Sequence, residues 1–203
     1  DILVVRGAGF APDAQVYLMQ CAGPVGAGAE AARSWCWGGD GIGIQIDDDT
    51  GLFNARFFVD NTGLEMERSG RYQTIFCVVV VDVPAASLGD LGKRQRDRVI
   101  KELGGIIRDS IRTVDRGVHA SDGSRHRFAA ILPETARDGA RVFATRLVAK
   151  MVETLGNRGA AIQADQVSFD ISMFPGDEED LAEMRRDFAT LDAREHPETA
   201  HSA

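Results

Sequence analysis

Long apolar runs are missing from this 203-residue chain. A membrane-crossing helix needs about 20 consecutive apolar residues, and the longest run here, residues 75–81, is strand-sized. No signal peptide is read at the start, and a chain that opens on Asp1 rather than Met is expected to be a piece of a longer protein. Cysteine is scarce as well. Cys21, Cys36 and Cys77 are odd in number, widely spaced and form no CxxC pair. That spacing argues against a disulfide framework or a zinc site, and a reducing cytoplasm fits it. Basic charge is in deficit, with 23 Lys and Arg against 31 Asp and Glu and a net charge of −8. A general nucleic-acid binder needs a dominant basic surface, so that class is set aside. A local arginine cluster for a small anionic ligand is compatible with the same balance.

What is present suits a globular protein, at 44% hydrophobic and 27% charged residues. No internal repeat is found. Composition shifts near residue 46. Before it, Ile2-Leu3-Val4-Val5 and Gln15-Val16-Tyr17-Leu18-Met19 read as short strands, followed by a Gly/Ala-rich stretch with Trp35 and Trp37 around Cys36. Residues 1–46 are therefore read as the C-terminal fragment of an upstream α/β domain, such as a receiver domain, with its linker. An irregular linker packed on its neighbour is the competing reading.

From residue 47 the periodicities alternate. Residues 54–67 carry helical spacing at Phe57, Phe58 and Leu64, weakened by Gly63. Residues 74–81 are a Val-rich strand of the kind covered on both faces. Residues 93–111 place Val99, Leu103, Ile106 and Ile107 on one helical face, with Gly104-Gly105 costing helix stability. A strand over 127–132 ends at Pro133. A helix over 136–155, with Phe143, Leu147 and Met151 at i+4 spacing, stops at Gly156. A strand over 167–173 and a helix over 177–191, acidic in its first turn, close the domain. Residues 193–203 read as a polar tail. Alternating strands and helices imply a layered α/β (α+β) fold over residues 47–192.

Several strings in this order resemble the GGDEF domain, the fold of diguanylate cyclases. Asp47 to Asn54, DDDTGLFN, resembles the family's D-x-L-T-G-L-x-N opening, with Asp49 for Leu. Val79-Val80-Val81-Asp82 resembles the strand that ends in the first metal-binding Asp. Ala130-Ile131-Leu132-Pro133-Glu134-Thr135 resembles the strand and turn after the signature hairpin, and residues 167–175 the late S-x-G strand, with Ser172 at the Gly position. The resemblance implies a GGDEF-type central sheet flanked by helices.

The signature itself is altered. Ser124-Arg125-His126-Arg127-Phe128 stands where the family has Gly-Gly-Asp/Glu-Glu-Phe. The resemblance implies Mg²⁺ held by carboxylates, and Mg²⁺ takes hard oxygen ligands. Arg offers only donors and a fixed positive charge, so Arg127 would repel the ion. Pro84 replaces the second acid of the family's D-x-D, and the guanine-contacting Asn expected near Leu88 is absent, although Asp97 matches a guanine-contacting Asp. The expectation is a chain with no cyclase activity, no metal and no cofactor.

A second family pattern is kept. Arg112 and Asp115 form the RxxD of the product-binding inhibitory site, Arg146 falls where a neighbouring helix adds an arginine, and Arg68 where a partner domain can supply one across a dimer. Guanidinium groups pair with phosphate and the guanine Hoogsteen edge, and a carboxylate accepts from guanine N1 and N2. The resemblance implies cyclic di-GMP as ligand. The span between Asp115 and Phe128 is longer than the family's, which could displace Asp115. The bland alternative is an i, i+3 ion pair worth ~0.2–0.5 kcal/mol.

Other candidates read as ordinary surface. His119 and His126, with Ser121, Asp122 and Ser124, lie in what reads as a polar hairpin loop with no nucleophile elbow. His196 and His201 have no metal-ligand spacing. Asp47-Asp48-Asp49 lacks the alternating ligands of an EF-hand. Gly38-Gly39-Asp40 repeats the signature letters outside their context. The expected function is a cytoplasmic cyclic di-GMP receptor in bacterial signalling, linked to an upstream receiver and docking a protein partner, with recruitment to a cell pole and homodimerisation as further possibilities. The alternative is a ligand-independent interaction or dimerisation module.

Overall fold

A computed structural model describes residues 2–5, 16–19, 45–160 and 166–195. The chain divides into two compact units, residues 1–46 and 47–203. In the first, β1 (Ile2–Val5) and β2 (Val16–Met19) pair antiparallel, with Ile2 opposite Met19 and Val5 opposite Val16. The segment around Trp35, Cys36 and Trp37, the Gly38-Gly39-Asp40 string, and His196 and His201 in the tail all lie outside the described residues.

The second unit is built on one sheet. Its elements run α1 (Ala55–Tyr72), β3 (Phe76–Pro84), a 3₁₀ turn (Ala85–Leu88), α2 (Lys93–Ser110), β4 (Arg116–Ser121), β5 (Arg125–Pro133), α3 (Arg137–Asn157), β6 (Ser168–Phe174) and α4 (Glu178–Glu195). The strand order is β4-β5-β3-β6, antiparallel at every pairing. Central β3 is covered on both sides, as its unbroken valine run requires. Cys77, Val79, Val81 and Val83 face a core shared with α2 and α3. Phe76, Val78 and Val80 face the opposite core, filled by Phe58, Leu181 and Phe188 of α1 and α4. The Phe58 and Phe188 rings stack at 4.0 Å between centroids.

Local chemistry explains the boundaries. Asn54 caps α1, its side chain accepting from the Phe57 amide at 3.0 Å. The helix runs past the expected 54–67 to Tyr72. Gly63 does not end it, and Arg185 of α4 lies over that glycine, 2.9 Å from where a Cβ would stand, and donates to the Val59 carbonyl. Gly104 in α2 has a similar reason: an added Cβ would meet the Thr50 Cβ at 2.7 Å. Ahead of α1 the opening segment lies along β4. Phe53 N–H donates to the Gly117 carbonyl at 3.0 Å, and His119 N–H to the Phe53 carbonyl at 2.8 Å.

One expectation is corrected here. The stretch carrying His119 and His126 is not a hairpin loop. Residues Arg116–Ser121 form β4, which pairs with β5 so that His119 sits opposite Phe128 and Ser121 opposite His126. His119 is only 2% exposed. The turn itself is confined to residues 122–124, with Gly123 at φ +82°, a conformation glycine adopts freely.

Candidate functional site

Asp82 is half-buried between Val81 and Val83 on β3, and Arg127 lies directly opposite it on β5. Arg127 Nε donates to Asp82 Oδ1 at 3.0 Å, and its NH1 donates to Asp187 Oδ2 of α4 at 2.7 Å. The guanidinium also stands 6.0 Å from the centroid of the Phe188 ring. Arg125 adds a second cation, 3.6 Å from Asp82 Oδ2. Burial works against the charge on Arg127, but the hydrogen bond and charge of Asp187, together with Asp82, outweigh it and hold the group above the ordinary arginine value. The carboxylate that the resemblance assigned to metal is thus fully engaged by two arginines. No cluster of three or more metal-ligating side chains exists among the described residues. Asp187 was missed in the sequence because it lies 60 positions from Arg127 and reads as one more acid on a solvated helix.

The hairpin turn is tied by its own aspartate. Asp122 Oδ1 accepts from the Ser124 amide at 2.9 Å, the Ser124 hydroxyl at 2.6 Å and the Arg125 amide at 3.0 Å. The Ser124 hydroxyl is the first cause that brings this carboxyl down to about 2.

The RxxD residues form a tight turn after α2. Asp115 Oδ2 accepts from the Arg112 backbone N–H at 2.8 Å, and the Asp115 amide returns a bond to the Arg112 carbonyl at 3.1 Å. The two side chains do not form the i, i+3 ion pair. The carboxylate instead caps the turn, and the Arg112 side chain is exposed with no partner among the described residues. Asp115 is 7% exposed, and its Oδ1 has no hydrogen-bond partner among them. Arg146 projects from the exposed side of α3, which packs over the same sheet face as α2. Arg68 lies on α1, over the opposite face, 3.5 Å from Glu65 Oε1. Three of the four residues therefore belong to one layer and Arg68 to the other.

A third cluster joins residues that the sequence reading sets aside separately. Asp47 Oδ1 accepts from the Thr50 amide at 2.9 Å and faces His119 Nδ1 at 2.9 Å; His119 Nε2 stands 3.2 Å from His126 Nδ1. Burial would raise Asp47, but the His119 hydrogen bond and charge, with Thr50, hold it below the ordinary carboxylate value. Burial, then the charge of His119, push His126 down to about 4.

A four-stranded antiparallel sheet with paired helices on both faces and a hairpin at β4–β5 defines a class of three-layered α+β domains. The family model described as "Diguanylate cyclase, GGDEF domain" matches residues 44–191, and the chain belongs to that family. No curated protein matches the chain. Among solved structures, the FimX GGDEF domain from Pseudomonas aeruginosa is similar at 19% identity and TM-score 0.54, covering 74% of this chain and 94% of that one. A sensory box/GGDEF family protein from Caulobacter crescentus matches at 17% identity and TM-score 0.51, covering 74% and 99%. The Vibrio cholerae LapD S helix-GGDEF-EAL structure, bound to c-di-GMP, matches at 15% identity and TM-score 0.51, covering 76% of this chain and 35% of that longer one. At these identities the likeness speaks for the fold. No helix among the described residues is long and apolar enough to cross a membrane.

Proposed function

We propose that this chain is a catalytically inactive GGDEF domain that acts as a cyclic di-GMP receptor in bacterial signalling. The observation that carries the reading is the contrast between two turns. At the hairpin, Arg127 and Arg125 neutralise Asp82, so a Mg²⁺ ion would meet two fixed cations. At the RxxD turn, the Arg112 guanidinium is exposed and Asp115 keeps one acceptor oxygen without a partner among the described residues. A guanine edge supplies the N1–H and N2–H donors that such an acceptor lacks. Arg112 and Arg146 supply donors for phosphate and Hoogsteen edges, and Arg68 acts from a second copy. Binding then biases docking to a protein partner.

Calorimetry with cyclic di-GMP tests this. Wild type is expected to bind, and Arg112→Ala at least tenfold more weakly, a loss of ~1.4 kcal/mol. Absence of binding by wild type, or equal binding by the variant, would sink the receptor. GTP turnover in the presence of Mg²⁺ would overturn the inactivity. The second reading, a ligand-independent interaction module, is favoured by Leu64 and Tyr72 on α1, exposed at 63% and 65% on either side of Arg68.

A further inference from the structure

Asp47, His119 and His126 form an unbroken line of titratable side chains. Asp47 opens the domain, His119 is buried in the middle of β4, and His126 stands beside the hairpin turn on β5. The two imidazoles lie end to end, with centroids 5.4 Å apart and planes within 14°, so the Nε2···Nδ1 contact of 3.2 Å is aligned for an N–H···N hydrogen bond. Phe128 packs against His119 at 4.8 Å between centroids, and the backbone of Phe53 holds its amide. With Asp47 ionised, His119 must present N–H at Nδ1. Its Nε2 is then either an acceptor from His126 or a donor to it, and one proton decides which.

We propose that this line is a proton relay that couples the signature hairpin to the opening turn of the domain. A proton arriving at His126 Nε2 is matched by transfer of the His126 Nδ1 proton to His119 Nε2. His126 ends neutral in its other tautomer, and the positive charge rests on buried His119 against Asp47. This singly protonated line holds β4, β5 and the Asp47–Thr50 turn together. A second proton places two imidazolium groups end to end and separates them.

The surrounding charges fit this assignment. Asp47 is the carboxylate facing His119, and Asp122, in the turn, acts on His126 in the same favourable sense. Arg125 is drawn away to Asp82 and Asp122. From α2, Arg108 binds the Thr50 carbonyl at 2.7 Å and so braces the opening turn rather than the histidines. Burial first, and the charge of His119 second, lower His126 to about 4.

Imidazole ¹⁵N resonances followed from pH 8 to pH 4 in the wild-type chain test the relay directly. The expected result is two separated steps for the pair, the first inverting the His126 tautomer while charging His119. Asp47→Asn, which offers His119 Nδ1 an acceptor or a donor without the negative charge, is expected to merge the two steps into one. In wild type, amide exchange at Thr50 and Leu52 is expected to accelerate at least tenfold through the second step only, and His126→Gln to remove that acceleration. Independent single-step titration of the two histidines in wild type overturns the relay, whether or not the variants fold. So do two unchanged steps in Asp47→Asn.

Discussion

At the scale of single residues, Arg127 decides the character of the hairpin. Its side chain is 11% exposed and Asp82 is 18% exposed, so neither charge is well served by water. Arg127→Ala leaves Asp82 with only the longer Arg125 contact, and is expected to cost about 1–3 kcal/mol in urea unfolding. Arg127→Glu gathers three carboxylates, at positions 82, 127 and 187, and is expected to cost more. Equal stability of wild type and Arg127→Ala would show that the pair is idle. The presence of arginine at this position is visible in the sequence, and so is its incompatibility with a metal ion. Its second anchor, Asp187, is not, because only the packing of α4 against the sheet brings the two together. The same holds for His119. Amid the polar string RGVHAS it reads as loop, and its partner Asp47 lies 72 positions earlier.

At the scale of elements, the two adjacent glycines of α2 have opposite meanings. Gly104 lies under Thr50 of the opening turn, and a Cβ there would stand 2.7 Å from the Thr50 Cβ. Gly104→Ala is therefore expected to destabilise by about 1–3 kcal/mol through overpacking. Gly105 has open space around it. Gly105→Ala is expected to stabilise by about 0.5–1 kcal/mol, the usual gain of alanine in a helix interior. Thermal melts of the two variants check the pair, and a common sign would refute the assignment. Helices were legible from the 3.6-residue spacing of Val99, Leu103 and Ile107, and β3 from its valines. β4 was not, because an edge strand opened by Arg116 and Gly117 shows no apolar alternation. Gly117 itself is explained only by the approach of Ile107, 2.8 Å from where its Cβ would stand.

At the scale of the whole molecule, stability should follow pH through the same residues. His126 is held neutral down to about 4, below the ordinary histidine value of 6.5. The unfolded chain therefore binds more protons in that window, and stability rises with pH from about 4 to 6.5. On acidification the loss is on the order of 2–3 kcal/mol. Asp47 and Asp122, both held low, contribute stability above the ordinary carboxylate value that is lost only as pH falls further. Urea midpoints at pH 7 and pH 4.5 check this, with His126→Gln expected to flatten the upper part of the profile. A flat wild-type profile across that window would contradict the burial of neutral His126. The candidate ligand site is the least legible at this scale. Arg112, Asp115 and Arg146 share one layer while Arg68 lies over the other, and nothing in the spacing of four residues reveals on which side of a sheet each will lie.

The pairing of Asp82 with Arg127 has one more consequence. A carboxylate neutralised by a dissolved ion is a sensor of that ion's supply, since its charge is balanced only while the ion is abundant. Here the balancing charge is encoded in the chain and made with it. The balance of charge at the hairpin therefore rests on covalent chain rather than on a dissolved ion.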